Sequence, residues 1–125
     1  MSKTAIVVFS DPKAGGEEAL GRFFNAMFLT LELKEKRQEV ELSFQGAGTR
    51  WPAEAANPAH PANALYKAVE DKIAGACGGC ADVFGATLGV KNAGLNLVRE
   101  REIAGTTGIL DLSRYLDEGW RLVTF

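Results

Sequence analysis

The fold is decided by the stretch Thr4-Ala5-Ile6-Val7-Val8-Phe9, a continuous apolar run rich in β-branched residues. A strand with one face in water alternates polar and apolar side chains, whereas a strand covered on both faces does not. The run therefore predicts a strand inside a parallel sheet, with helices packed against it. Ser10-Asp11-Pro12 ends this strand, and Gly15-Gly16 lies in the loop beyond it.

Outward from this strand, the chain alternates helical and strand-like patterns. A long amphipathic helix comes next, with Glu17 and Glu18 in its first turn, where acidic side chains are favourable. Its predicted core face consists of Leu20, Phe23, Phe24, Met27, Phe28 and Leu31. An alternating strand over residues 39–44 follows, then a turn-rich loop over residues 45–52 and an irregular or single-turn stretch to residue 61.

The rest of the chain repeats this order. Further strands are predicted at residues 73–77, 95–98 and 120–125. The residues predicted to bound the remaining helices are Pro61 or Ala62 at the start of the second, Gly89 at the end of the third, Thr106 or Thr107 at the start of the last and Gly119 at its end.

This alternation predicts a three-layer α/β fold with a mostly parallel, five-stranded sheet of the flavodoxin-like or Rossmann-like kind. We expect one domain over residues 1–125, because this length suits a single core. The last predicted strand leaves little chain to cover the sheet edge, so we also expect a homo-oligomer that buries that edge.

Composition and charge exclude several classes of protein. The net charge of −2 gives no general attraction to nucleic acid or to anionic membranes. The most apolar window, residues 20–33, is too short to cross a bilayer and is interrupted by Arg22, Asn25 and Glu32. The first four residues run directly into the first strand without a signal-peptide pattern, and we therefore expect a cytoplasmic protein.

The tetrapeptide Cys77-Gly78-Gly79-Cys80 is the one stretch with visible chemistry. Cys77 ends a predicted strand, and Cys80 falls in the first turn of the next helix, where outward-pointing backbone N–H groups stabilise a thiolate. Gly78 and Gly79 let the backbone approach the sulfur closely. In a reducing compartment, two cysteines at this spacing are predicted to be catalytic or metal-binding rather than a structural disulfide. The alternative is that both are small, buried apolar side chains.

Neither a metal nor a cofactor is predicted. His60 is the only histidine, and two thiolates with one imidazole fall short of a closed tetrahedral zinc site. In Gly46-Ala47-Gly48-Thr49-Arg50, Trp51 stands where the dinucleotide fingerprint requires a third glycine, and the chain has no phosphate-binding Gly-Lys-Ser/Thr motif.

Ligands of open α/β sheets bind beyond the carboxyl ends of the strands, which here carry the loops at residues 10–16, 45–52, 77–80 and 99–107. Gly46 and Gly48 are interpreted as a tight turn, and Arg50 as either an anion contact or an ordinary surface residue. The candidate ligand-binding residues on this rim are Ser10, Gly48, Thr49, Arg50, Gly78 and Gly79.

Several stretches in this order resemble the DsrE-like family of sulfur-relay proteins. They are Ile-Val-Val-Phe-Ser-Asp-Pro at residues 6–12, Phe-Phe-Asn-Ala-Met at 23–27, the Gly-rich loop after the second strand, a cysteine ending the third strand before Cys80-Ala81 and Gly85, and the closing helix and strand over residues 111–125. The resemblance implies a doubly wound α/β domain, assembled as trimers or hexamers.

The resemblance also implies a function for Cys77, the strand-end cysteine, which would accept sulfane sulfur from a donor protein as a persulfide and pass it to an acceptor protein. The chain departs from the sulfur carriers in having Cys80, and in having Phe84 where an arginine is common. Cys80 is interpreted as a resolving or tuning thiol, and Arg50 as a contact for an anionic donor such as thiosulfate. The alternatives are a dithiol–disulfide redox protein using Cys77 and Cys80, and a non-catalytic oligomeric module that binds a small ligand.

Overall fold

Five strands form one sheet in the computed structural model, which describes residues 2–125. In chain order they are β1 (Lys3–Val8), β2 (Glu39–Phe44), β3 (Ile73–Cys77), β4 (Leu97–Val98) and β5 (Arg121–Thr124). The sheet order is β4-β3-β2-β1-β5, and all four pairings between these strands are parallel. The predicted three-layer α/β fold with a parallel sheet is therefore confirmed. As in Rossmann-like sheets, β1 lies between β2 and a strand from much later in the chain.

Six α-helices connect the strands. They are α1 (Gly16–Glu35), α2 (Trp51–Ala55), α3 (Asn63–Val69), α4 (Gly78–Val83), α5 (Thr87–Asn92) and α6 (Leu112–Asp117). Two short 3₁₀ helices, Gly46–Arg50 and Glu70–Lys72, precede α2 and β3. Among residues 2–125, none of these helices has both the length and the apolarity that a bilayer crossing requires.

The strand order divides the helices between the two faces of the sheet. From β1 to β4 the chain moves steadily in one direction, and right-handed connections then put α1 to α5 on one face and α6 on the other. The two hydrophobic cores agree with this division. The larger contains Ile6 and Val8 with side chains of α1, α2, α3 and α5, whereas the smaller contains Ala5, Cys77 and Tyr115 of α6. Cys77 therefore belongs to the face that α6 covers.

The buried stripe of α1 differs from the predicted one. Phe23 and Met27 are buried as expected, but Phe28 is 47% exposed and packs against Phe24 with the two rings tilted. The other buried positions of the helix are Ala19, Ala26, Thr30 and Leu33. The small side chains of Ala19 and Ala26 let the helix approach the sheet closely.

Several predicted boundaries were wrong. The loop over residues 45–52 is helical rather than a simple turn. Gly89 lies inside α5 and caps nothing, because the first helix after the cysteines already ends before Gly85, whose φ of +67° suits a helix terminus. The N-cap of α6 is Asp111, which accepts a hydrogen bond from the backbone of Ser113, and not Thr106 or Thr107. The predicted C-terminal glycine, Gly119, does follow α6 with a φ of +84°.

Candidate functional site

The carboxyl ends of β1, β2 and β3 meet at one edge of the sheet. Val8 pairs with Phe44 and Phe44 with Ala76, so the next residues, Gln45 and Cys77, stand side by side where the strands end. The segments that follow these strands turn toward one another. The sequence prediction that the cysteines and the Gly-rich loop share a rim agrees with this arrangement.

Cys77 links β3 to α4 and forms the N-cap of that helix. Its Sγ accepts a hydrogen bond from the backbone N–H of Cys80, with an N–S distance of 3.4 Å. The glycines between the two cysteines allow this tight geometry, and α4 begins directly after Cys77. Both cysteines are free thiols.

A segment between β4 and α6 lies over Cys77. We call residues 99–111 the cover segment; its two arms are joined by an antiparallel bridge between Arg101 and Ile109. The backbone N–H of Gly79 donates to the carbonyl of Gly108 at 2.8 Å, which ties the segment to α4. Cys77 has no exposed surface, whereas Cys80 is half-buried. The side chains packed with Cys77 in the smaller core are Ala5, Leu110, Tyr115 and Trp120.

Both glycines of the tetrapeptide make room for the cover segment. A Cβ on Gly79 would lie 3.0 Å from both the Gly108 carbonyl oxygen and Ile109 Cγ2. A Cβ on Gly78 would lie 2.5 Å from Arg99 Cγ. The two glycines therefore serve the packing of the cover segment, and their predicted role as ligand contacts stays a prediction.

The surroundings of Cys77 favour its thiolate. The Cys80 thiol is the largest influence, and with the backbone N–H groups of Leu110, Cys80 and Gly79 it lowers the pKa of Cys77 to about 6, against the opposing effect of burial. The same contact with Cys77, together with burial, raises the pKa of Cys80. The pair therefore shares one negative charge, which resides on Cys77.

Gln45 is a third polar side chain at this point, and the sequence reasoning did not single it out. It is 6% exposed, and its Oε1 accepts a hydrogen bond from the Cys80 thiol with an S–O distance of 3.1 Å. The sequence signal for Gln45 is its position directly after β2, because the first residue after a strand lies beside the end of the neighbouring parallel strand.

Asp82 of α4 joins the cover segment to the helices. Its carboxylate accepts hydrogen bonds from Thr87, Thr107 and Arg99, the last with an N–O distance of 3.0 Å. The hydroxyl of Thr107 chiefly, and then the hydroxyl of Thr87 and the guanidinium of Arg99, hold the pKa of this carboxyl well below its usual range. Arg99 and Thr107 belong to the predicted rim, whereas Asp82 and Thr87 lie outside it, and no short-range sequence signal predicts that these residues meet.

Three of the candidate ligand-binding residues make contacts within the protein. The hydroxyl of Thr49 donates to the Gly46 carbonyl at 2.8 Å, and that of Ser10 to the Ala19 carbonyl at 3.3 Å. Gly48 packs so closely on β1 that a Cβ would lie 2.1 Å from the Val8 carbonyl oxygen. These contacts assign all three a part in holding the rim together, and ligand binding by them remains a prediction.

Arg50 is half-buried and pairs with Asp11 from the loop after β1. Its Nη1 donates to both carboxylate oxygens, and its Nε donates to the Phe84 carbonyl at 3.1 Å. Arg50 therefore connects the first loop, the Gly-rich segment and the end of α4. Its predicted contact with an anionic donor stays a prediction.

The structure offers no clustered metal ligands. Within residues 2–125, no group of three or more His, Cys, Asp and Glu side chains is close enough together to hold an ion. His60 lies away from the cysteines, near Trp51, and its Nδ1 accepts the backbone N–H of Ala62 at 3.1 Å.

Comparison with known proteins gives three matches. The model of the DsrE/DsrF-like family matches residues 2–125. An uncharacterized protein of Methanocaldococcus jannaschii is 29% identical over 92 residues, which cover 74% of this chain and 70% of that protein. The solved structure of a conserved protein of unknown function from Bacteroides thetaiotaomicron superposes with a TM-score of 0.66 at 18% identity, covering 99% of this chain and 95% of the other. That likeness concerns the fold alone.

Proposed function

Because the chain belongs to the DsrE/DsrF-like family, we propose that it is a sulfur-relay protein in which Cys77 carries a sulfane sulfur as a persulfide. The observation that carries this proposal is the strand-end thiol of Cys77, which accepts the Cys80 N–H at 3.4 Å and whose pKa is lowered to about 6. A thiol with that pKa is mostly ionised at neutral pH, and the thiolate is the form that attacks sulfur.

Loading and transfer are both thiolate displacements. With thiosulfate as the donor, the Cys77 thiolate attacks the outer sulfur, the S–S bond of thiosulfate breaks and sulfite leaves with the electron pair. Cys77 then holds one additional sulfur as a persulfide. A thiolate of the acceptor protein attacks that terminal sulfur and regenerates the Cys77 thiolate.

Loading requires the cover segment to open, because Cys77 has no exposed surface. The segment is attached to α4 through the hydrogen bond between the buried Gly79 and Gly108 and through the Asp82 cluster, which lies at the protein surface. Contacts of this kind break in local openings at a lower free energy than global unfolding. A donor or acceptor protein that displaces the segment would reach the thiol directly.

The proposal includes a homo-oligomer, a trimer or hexamer, acting in the cytoplasm on donor and acceptor proteins. Two features support interaction surfaces on the protein, one at the far edge of the sheet and one next to the cysteines. β5 pairs only with β1, so its other edge is free among the described residues. Val83 on α4 and Leu88 on α5 are 77% and 69% exposed, which leaves large apolar side chains in water.

The test is intact-mass spectrometry of the reduced protein after incubation with thiosulfate or polysulfide. Wild type, Cys77→Ser and Cys80→Ser are compared. We expect a gain of one sulfur atom in wild type and in Cys80→Ser, and no gain in Cys77→Ser. A gain that persists in Cys77→Ser, or that is absent from all three proteins, contradicts the proposal.

A dithiol–disulfide redox function is the second candidate, favoured by the 3.4 Å contact between Cys77 Sγ and the Cys80 backbone. Two thiols at this spacing exchange readily with glutathione if they can close a disulfide. A redox titration against glutathione separates the two functions. A pair that never oxidises excludes the second.

A binding module without thiol chemistry is the third candidate, favoured by the complete burial of Cys77. Its discriminating measurement is alkylation of the native protein by a small reagent. If neither cysteine reacts, the site is closed to small molecules, which supports the binding module. Reaction at Cys77 below neutral pH supports the sulfur-relay proposal instead.

A further inference from the structure

The buried Gln45 side chain lies beside Cys80. Its backbone N–H donates to the Val8 carbonyl at 3.0 Å, and its carbonyl accepts the Gly48 N–H at 2.9 Å. These bonds fix the Gln45 backbone at the end of β2, and the side-chain Oε1 lies 3.1 Å from the Cys80 sulfur. A buried amide without a partner is costly, so this contact with the thiol also satisfies Gln45.

The Cys80 thiol has one proton and two acceptors for it. One acceptor is Gln45 Oε1, and the other is the sulfur of Cys77. When Cys77 is a bare thiolate, the proton of Cys80 stabilises it. Once Cys77 carries a second sulfur, its negative charge moves to the terminal sulfur, and Gln45 remains as the fixed acceptor next to Cys80.

We propose that Gln45 is a positioning residue that keeps Cys80 protonated while Cys77 holds the sulfane sulfur, and thereby directs that sulfur to an acceptor protein rather than to release as sulfide. This inference rests on the proposed function. A hydrogen bond from a thiol favours its protonated form over the thiolate, and only the thiolate of Cys80 attacks.

The reaction that Gln45 suppresses is a displacement within the pair. The proton of Cys80 passes to the terminal sulfur, the Cys80 thiolate attacks Cys77 Sγ, the bond between that atom and the terminal sulfur breaks, and hydrosulfide leaves with the electron pair. The product is a Cys77–Cys80 disulfide. The persulfide supplies the oxidising equivalent, so no further oxidant is required.

Of the charged groups on α4 and on the elements packed against it, Lys91 of α5 is exposed to solvent, and the following ones are engaged elsewhere. Asp82, on α4 itself, pairs with Arg99 after β4. Arg50, from the 3₁₀ helix before α2, pairs with Asp11. Cys77 at the end of β3 is the titratable group that acts on Cys80 directly. Gln45 is the uncharged side chain that accepts the hydrogen bond of the Cys80 thiol.

Two substitutions of Gln45 are expected to act in opposite directions. Gln45→Met keeps the length of the side chain but removes the strong acceptor. Gln45→Glu keeps an acceptor and adds a negative charge. After loading with polysulfide and removal of the excess, we expect Gln45→Met to release sulfide roughly fivefold faster than wild type, the factor that a neutral hydrogen bond of ordinary strength represents. We expect Gln45→Glu to release it more slowly.

The pH profile of sulfide release distinguishes positioning from a structural effect. Its midpoint should fall in Gln45→Met and rise in Gln45→Glu, and the Cys80→Ser substitution should abolish release in each background. Equal rates in all three Gln45 forms, or shifts of both variants in the same direction, overturn the inference.

A second measurement does not depend on sulfur loading. In a Cys77→Ala background, the pH profile of Cys80 alkylation is measured for the same three side chains at position 45. Opposite shifts there support the role of Gln45 even if the wild type takes up no sulfur, in which case the proposed function alone fails. Coincident profiles overturn the role of Gln45 whether or not the protein carries sulfur.

Discussion

Arg50 Nη1 donates to both carboxylate oxygens of Asp11, at 3.1 and 3.0 Å, and so joins two loops that are 39 positions apart in the sequence. Both side chains are mostly buried. The backbone N–H of Lys13 and the Arg50 guanidinium together hold the pKa of Asp11 below its usual value. The ion pair therefore anchors the rim of the sheet on which the cysteines lie.

Removing either partner of this ion pair is expected to destabilise the fold. Arg50→Gln and Asp11→Asn should each lower the free energy of unfolding at neutral pH by about 1 kcal/mol. Because the pKa of Asp11 is lowered by folding, its contribution is present above the ordinary pKa of 3.8 and is lost as the pH falls through the lowered value. Urea denaturation at neutral and acidic pH measures both effects.

The same two variants test the predicted anion contact. If Arg50 anchors the rim only, neither variant changes the thiosulfate concentration that half-loads Cys77. If Arg50 attracts the donor, Asp11→Asn, which frees the guanidinium, should lower that concentration and Arg50→Gln should raise it.

Ionisation of Cys77 should also make the free energy of unfolding depend on pH. Folding lowers the pKa of Cys77 from 9.0 to about 6, so between these values the unfolded chain binds a proton that the native protein does not. The free energy of unfolding should therefore rise with pH from about 6 to 9, and this contribution should be lost as the pH falls through 6. Denaturation of the reduced protein across that range measures it, and Cys77→Ala should lack the rise.

The Cys80→Ala substitution tests what lowers the pKa of Cys77. The Cys80 thiol is the largest influence that lowers the pKa of Cys77, so its removal should raise the midpoint of the thiolate absorbance. Cys80→Ser retains a hydroxyl donor and should shift the midpoint less. Identical midpoints in wild type and Cys80→Ala would contradict a hydrogen bond between the thiols.

The sequence predicted the sheet well because its signals are local. The apolar run at β1 and the alternating run at β2 identify strands by themselves, and Cys77 was correctly placed at the end of β3. The predicted helix ends were wrong where more than one nearby residue could cap the helix. The structure uses Gly85 and Asp111 rather than Gly89 and Thr106 or Thr107. Only the packing of the folded chain decides which of these candidates caps the helix.

The site could be predicted only in part for a similar reason. The cysteines are recognisable from their spacing, whereas Gln45 gains its importance from the register of β2 against β3. The cover segment depends on an antiparallel bridge between Arg101 and Ile109, in a stretch that the sequence identified only as a loop after a strand. Contacts of this kind follow from topology, which local patterns do not contain.

Loosening the cover segment should expose Cys77. Asp82→Asn weakens the ion pair with Arg99, and Thr107→Val removes a hydroxyl that donates to the same carboxylate. Either change should lower the free energy of local opening, and alkylation of Cys77 should then become faster than in wild type. The rate is measured by mass spectrometry of the cysteine peptide under native conditions.

Glu18→Gln is the matched control for these variants, because it removes an exposed carboxylate that pairs with Arg22 on α1, away from the cysteines. It should leave the alkylation rate unchanged. A rate that rises only in proportion to global unfolding would show that the cover segment does not open separately from the rest of the protein.

The close approach of Gly48 to β1 gives the most demanding test of how Gln45 is held. A Cβ at this position would lie 2.1 Å from the carbonyl oxygen of Val8 and 2.8 Å from its carbonyl carbon. Gly48→Ala must therefore push the 3₁₀ helix away from the strand, and we expect a loss of about 3 kcal/mol in the free energy of unfolding. Gly21→Ala on α1 has open space around its Cβ and should instead stabilise the helix by up to about 1 kcal/mol.

The displacement should reach the thiols, because the Gly48 N–H is bonded to the Gln45 carbonyl. In the folded fraction of Gly48→Ala, the pH midpoint of Cys80 alkylation should move in the same direction as in Gln45→Met. Urea denaturation and cysteine-resolved alkylation measure the two effects on one sample. If Gly48→Ala is as stable as Gly21→Ala and its alkylation profile matches the wild type, the contact of Gly48 with β1 is not what holds Gln45 against Cys80.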